Sequence, residues 1–271
     1  MSKEQKIITP SYRGLKWSEI VSYRELIYAF ISRDLRVRYA QSILGISWAI
    51  INPLVAILLM TIVFGYILKV DTRGIPPVLI TTVGVVVWNF FSSTITEASN
   101  VFIKNQSLIT KIYFPRIILP IASMGVGMID LLVALIIMYA LVIYYGYFHI
   151  SSIPYILLLI AYLMYCVLSF SILLSALCVR YRDFVHIIPL LLRIGIYASP
   201  VAYLSSAIPQ KYELIFFLNP LVGIIDCMRF ILLGLPFNPI SIYVSVIIST
   251  IILSVGILYF RRIEIIMSDI I

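Results

Sequence analysis

Apolar residues run in long blocks along this chain, and polar residues collect in the short stretches between them. A helix that crosses the hydrocarbon of a bilayer needs about 20 largely apolar residues. The blocks predict six crossings, at about Leu44 to Leu68, Pro77 to Ile95, Ile117 to Tyr145, Ile153 to Val179, Phe184 to Leu204 and Ile240 to Phe260. Six crossings put both ends of the chain on one side. Ahead of the first block, Tyr23, Leu26, Ile27, Phe30 and Ile31 recur at helical spacing, with Glu25, Ser32, Arg33 and Arg36 on the other face. That pattern predicts a basic amphipathic helix at about 22–41, lying in the membrane interface, with Ser22 and Glu25 as a capping box at its start.

Residues 205–239 break the rhythm. They are apolar, but Pro209, Pro220, Pro236 and Pro239 interrupt them and Asp226 and Arg229 charge them, so no uninterrupted crossing fits. Two short helices dipping into the outer side of the membrane fit better, because irregular backbone at that depth is tolerated where protein buries it or it lines a wet cavity. The expected fold is an all-α membrane protein with six transmembrane helices. An amphipathic interfacial helix precedes them and a broken, re-entrant periplasmic helix pair comes before the last span, all in one domain over residues 1–271.

Composition agrees with a lipid solvent: 62% of the 271 residues are hydrophobic and 12% are charged, more apolar surface than one soluble core hides. The net charge of +8 raises the question of nucleic acid, but its distribution argues against that partner. Fifteen Lys and Arg fall on one side of the six blocks: eight in the N-terminal segment, Lys104, Lys111, Arg116, Arg180, Arg182, Arg261 and Arg262. Lys69, Arg73, Lys211 and Arg229 fall on the other, and Arg193 lies inside the fifth block. By the positive-inside rule both termini are expected in the cytoplasm and the chain in the cytoplasmic (inner) membrane as a multi-pass protein.

Candidate chemistry is sparse. Cys166, Cys178 and Cys227 lie in or beside apolar runs without paired spacing, and His149 and His186 are far apart, so no metal site is expected. No glycine-rich phosphate loop of the G-x-x-x-x-G-K-[ST] kind is present; if ATP drives this protein, another chain binds it. Charge inside a membrane is costly, so Asp130 and Arg193 need a reason: a charged substrate, each other across the bundle, or helix-to-helix glue. Trp48, Asn52, Trp88, Asn89, Phe90 and Phe91 are candidates for a transport path, since flat aromatic faces and amides suit sugar rings; packing accounts for each of them as simply. The connection KNQSLITKIYFPR, Lys104 to Arg116, suits either a lipid-anchored loop or a docking surface.

Five stretches carry a resemblance: RDLRVRYAQSILGISWAIINPL (Arg33 to Leu54), LITKIYFPRIILP (Leu108 to Pro120), RYRDFVHIIPLLLRIGIYASPVAY (Arg180 to Tyr203), FLNPLVGIIDCMRFILLG (Phe217 to Gly234) and FRRIEIIMSDII (Phe260 to Ile271). In this order they resemble the membrane subunits of bacterial ABC-2 type exporters that move lipid-linked O-antigen, capsule or teichoic acid. The tail departs mildly, with Met267, Ser268 and Asp269 where a small aromatic-and-alanine stretch is expected.

The resemblance implies a homodimer of this chain working with two copies of a separate ATPase, which binds the ATP and Mg; no cofactor is expected in this chain. It implies that the interfacial helix gates substrate admission and that a coupling helix covers about Asn105 to Tyr113, with Asn105, Ser107, Leu108, Lys111 and Tyr113 as ATPase-coupling candidates. Gate helices are implied at about 205–233. In that frame Arg33, Arg36 and Arg38 suit the diphosphate of a polyprenyl-linked polysaccharide, and Tyr39, Trp48 and the Trp88 cluster suit its sugars. Rival readings are an ABC-2 permease for a drug or lipid, a membrane-embedded transferase acting on lipid-linked sugars, and a purely structural scaffold.

Overall fold

Every regular element among the described residues is helical. The computed structural model describes residues 21–39, 45–112 and 114–270. Residues 1–20 with their basic charges, residues 40–44, Tyr113 and Ile271 lie outside them. Ten α-helices are described: α1 (Arg24–Tyr39), α2 (Trp48–Met60), α3 (Pro77–Lys104), α4 (Gln106–Ile109), α5 (Ile118–Tyr144), α6 (Ile153–Arg180), α7 (Phe184–Ala198), α8 (Gln210–Phe217), α9 (Pro220–Leu233) and α10 (Pro239–Ile270).

Five stretches are long and apolar enough to cross a membrane: Trp48–Ile67, in which α2 continues as π-helix over Thr61–Ile67, then α3, α5, the stretch through α6, and α10. Three expected boundaries move. The second block was expected to stop at Ile95, but α3 continues to Lys104, because Ala98, Val101 and Phe102 still have a core to pack into after the apolar run thins. The last helix likewise passes Phe260 and reaches Ile270, with Phe260, Ile263 and Met267 in the same cluster.

The fifth block shortens instead: α7 ends at Ala198, not Leu204. Ser199 turns extended at φ −109° and ψ 149°, as the residue before a proline prefers, and Pro200 follows. Fifteen residues of helix cover about 22 Å, less than the roughly 30 Å of hydrocarbon, and residues 199–204 complete the segment as irregular backbone. The broken region matches expectation. Helices α8 and α9 meet at a bend of 105°. Asn219 caps α9 by accepting from the Leu221 N–H, and Gly234 closes it at φ 68°, a left-handed conformation that glycine adopts without strain.

Helix α3 is the axis of the molecule, 78% buried over its most apolar window against 17% for the first span. It packs on α2, α5, α6, α7 and α9. A second core gathers the ends that carry most of the basic residues: Phe30 of α1, Val101 and Phe102 of α3, Ile109 of α4, Phe114, Ile118 of α5, Val179 of α6 and Phe260 of α10. We call this the basic end. Helix α10 has a serine stripe, Ser241, Ser245 and Ser249, all fully buried. Ser245 donates to the Pro220 carbonyl and shares a 2.6 Å hydrogen bond with the Tyr162 hydroxyl, which joins α9, α10 and α6.

Candidate functional site

A groove of about 700 Å³ opens between α1, α2, α3 and α5. Helix α1 forms its lip: Ile31 sits against Gly125 of α5, where an added Cβ would fall 2.4 Å from the isoleucine Cδ1, so the two helices approach as closely as a glycine permits. Beyond that contact the last turn of α1 reaches Asp130, twelve residues or about 18 Å into α5. Arg38 Nη1 and the Tyr39 hydroxyl each donate to the Asp130 carboxylate at 2.5 Å. The second Arg38 nitrogen reaches Glu97 of α3 at 3.4 Å, and Lys104 Nζ holds the other Glu97 oxygen at 2.6 Å.

These groups are about a third exposed or less, Lys104 excepted. Burial pushes the Tyr39 phenol up, and its hydrogen bond to Asp130 adds to this, reaching about 12; it therefore stays protonated and donates at ordinary pH. Burial works against the charge on Arg38, but Asp130 and Glu97 outweigh it and raise the guanidinium above its usual range.

Above this cluster, α2 lines the groove with Trp48, Asn52 and Pro53, and α3 with Asn89, Phe90, Ser92, Ser93 and Thr96. From Val86 to Glu97 the lining extends over eleven helical steps, about 16 Å of α3. Trp48 is 41% exposed. The side-chain amides of Asn52 and Asn89 line the groove without a hydrogen bond to any described residue.

The structure thus brings together Arg38, Tyr39, Trp48, Asn52, Asn89, Phe90 and Asp130 from the sequence-derived candidates. It separates others. Trp88 and Phe91 are buried in the main core, Trp88 against Gly195 of α7 and Phe91 edge-on to Phe170 of α6. Successive helical residues point some 100° apart, so Asn89 and Phe90 face the groove while their neighbours turn away. Arg33 pairs with Asp34 at 2.7 Å and stands over the Phe30 ring, and exposed Arg36 bonds the Ser32 carbonyl; neither lines the groove.

Asp130 and Arg193 do not pair. Asp130 is engaged by α1, and Arg193 is exposed on α7 with no ion pair among the described residues. Glu97 is not among the sequence-derived candidates. Its signal was an acid seven residues before Lys104 on what proves to be one continuous helix.

At the basic end Asn105 is buried and its Nδ2 donates to the Val101 carbonyl at 2.7 Å. Leu108 is half-buried, whereas Ser107 and Lys111 are exposed. Arg116 closes the loop, with its backbone N–H donating to Glu264 Oε1 and its guanidinium to the Glu264 carbonyl of α10.

A second polar cavity, about 350 Å³, lies at the opposite end between Arg73, the 204–208 segment, α8 and α9. Beside it Arg229, counted above as an outer-loop charge, is 1% exposed. It donates to the carbonyls of Tyr203, Ile80 and Val201 at 2.8 to 2.9 Å, with Asp226 at 3.9 Å. Gly84 of α3 lets residues 199–204 come this close, since a Cβ there would lie 2.1 Å from the Val201 oxygen.

The sequence profile described as ABC-2 type transporter matches residues 25–233. O-antigen export system permease protein RfbA of Klebsiella pneumoniae is 28% identical over 244 residues, 89% of this chain and 92% of that protein. RfbA of Myxococcus xanthus is 28% identical over 211 residues, 76% of this chain and 79% of that protein. Polysialic acid transport protein KpsM of Escherichia coli is 25% identical over 210 residues, 75% and 79% of the two chains. The profile covers the helices that build the groove and the Arg229 cluster, and with most of its length matched, this chain belongs to the ABC-2 type transporter family.

Proposed function

We propose that this chain is the channel-forming permease subunit of an ABC exporter for polyprenyl-diphosphate-linked polysaccharide, with O-antigen as the specific cargo. It acts as a homodimer in the cytoplasmic membrane beside two copies of a separate ATPase. The observation that carries the reading is the groove under α1. Its lining of the partly exposed Trp48, two amides without a hydrogen bond to a described residue and the hydroxyls of Ser92, Ser93 and Thr96 suits sugar rings. The names of the relatives, which export O-antigen or transport polysialic acid, support the same cargo class.

The remaining roles follow the charge pattern. The basic end faces the cytoplasm. There the exposed Ser107 and Lys111 offer a surface on which an ATPase docks, and the buried Asn105 and Ile109 pass its displacement to the core. Arg33 and Arg36 on the outer face of α1 meet the diphosphate as the lipid-linked chain arrives, and the sugars pass inward over Tyr39, Trp48 and Asn52. Co-purification of the tagged chain with its ATPase, combined with deletion of this gene, tests the reading. A stable complex and lipid-linked glycan accumulated on the inner face are expected. A chain that purifies without an ATPase, in cells whose glycan is exported but chemically altered by the deletion, overturns it in favour of a transferase.

A further inference from the structure

We propose that Glu97 transmits movement of the loop after α3 to the lip of the groove. Lys104 at the root of that loop and Arg38 at the end of α1 compete for its one carboxylate, and the loop sets how firmly α1 is held. This rests on the export reading above and names the residues through which the ATPase controls the groove.

Helix α3 ends at Lys104, and only Asn105 separates it from α4. Asn105 is tied to both helices: its Nδ2 donates to the Val101 carbonyl of α3, and its own carbonyl accepts from the Leu108 and Ile109 N–H groups of α4. A displacement of α4 therefore carries Lys104 with it. Lys104 reaches back two turns, about 10 Å of helix rise, to hold Glu97 Oε2 at 2.6 Å. Side-chain pairs along a helix ordinarily bridge three or four residues. This one bridges seven, so it needs both side chains extended and the last two turns of α3 intact. Arg38 reaches the other Glu97 oxygen at 3.4 Å, a long contact beside its 2.5 Å bond to Asp130. Lys104 has the first claim on the carboxylate.

Arg38 and Glu97 also stand where two spaces meet. Both line the groove, and both line a smaller cavity of about 240 Å³ at the root of the loop, with Asp34, Lys104, Asn105 and Ser123. The contact between them is part of the wall that divides the two. When α4 draws Lys104 off Glu97, the carboxylate closes on Arg38 and α1 is held. When Lys104 returns, Arg38 keeps Asp130 as its main partner and the wall loosens. The Lys104 and Glu97 side chains are 57% and 34% exposed, and an ion pair so open to water costs little to break. That suits a contact remade in every transport cycle.

The test is translocation of polyprenyl-diphosphate-linked glycan by the intact permease and ATPase complex in proteoliposomes, scored as glycan moved per ATP hydrolysed. Lys104→Ala is expected to assemble, to unfold at the parent's temperature and to hydrolyse ATP, yet to move about fivefold less glycan per ATP or worse. Lys104→Arg, which keeps the cation, is expected to restore most of that ratio. Exchanging the pair, Glu97→Lys with Lys104→Glu, separates the relay from simple bracing of α3. The bridge along α3 is remade with reversed polarity, but Arg38 then faces a cation, so the ratio is expected to stay low. A parental ratio in Lys104→Ala or in the exchanged pair overturns the relay. So does loss of ATPase binding by Lys104→Ala, which would make Lys104 a docking residue instead. A wild-type complex that hydrolyses ATP and moves no glycan overturns the export reading, and the relay falls with it.

Discussion

Two arginines hold this bundle at opposite ends, and they do so by different physics. At the basic end Arg38 meets carboxylates from two other helices while all three side chains keep about a third of their surface open. At the far end Arg229 is sealed in the protein and meets three backbone carbonyls. An ion pair with open sides can separate and let water or ligand take up the charges. A guanidinium on buried carbonyls has no such exchange, since withdrawing it strands acceptors that water does not reach. The first arrangement fits a contact that is made and broken as the lip of a groove moves; the second fits one that stays.

Removing the sealed arginine gives the largest effect. Arg229→Ala is expected to lower stability by about 3 kcal/mol or more, because three carbonyls lose their donor and Asp226 loses its nearest cation. Thermal unfolding in detergent checks this, and a variant as stable as the parent would show that the far end is held by apolar packing alone.

Gly84→Val strikes the same region without touching a charge. Its Cβ must displace the Val201 backbone, at an expected cost of about 1–3 kcal/mol in the same assay. Arg38→Gln reverses the balance between stability and activity: unfolding shifts by about 1 kcal/mol, whereas glycan export falls on the order of tenfold as the lip loses its hold on α3 and α5. A loss of folding as severe as that of Arg229→Ala would erase the distinction between the two ends. The smallest effect belongs to Lys104→Ala, whose cation is 57% exposed; it is expected to change stability by less than about 0.5 kcal/mol.

The crossings were legible because a bilayer imposes a length that any sequence must meet, and five of the six blocks fold as helices that meet it, the fifth block giving only the shorter α7. The bent pair α8 and α9 was legible because prolines and charges interrupt the apolar run there. The early end of α7 was written in Ser199 and Pro200, but the apolar residues after them masked it. The extension of α3 past Ile95 was not written locally, since it depends on a core assembled from five other segments.

The site divides the same way. Residue types suited to sugar drew attention to Trp48, Asn52 and Asn89, yet hydropathy could not distinguish Asn89 and Phe90 from Trp88 and Phe91, which lie one residue away and face the core. The pairing of Arg38 with Asp130 spans 92 positions, and no local pattern encodes it. Arg229 was open to a better reading: an arginine three residues after an aspartate, in a stretch otherwise apolar enough to bury, is a charge the fold intends to enclose.

Helix α10 is longer than a membrane requires. Its 32 residues make a rod of about 48 Å against some 30 Å of hydrocarbon. It is gripped near one end by Ser245 on the α9 carbonyl and near the other by Glu264 on Arg116 of the loop after α4. A rod held at both ends behaves as a lever: a tilt of about 5° sweeps one tip about 4 Å relative to the other over this length. Whatever leans on the loop at the basic end is thereby felt at the opposite mouth, without a signal having to thread through the groove between them.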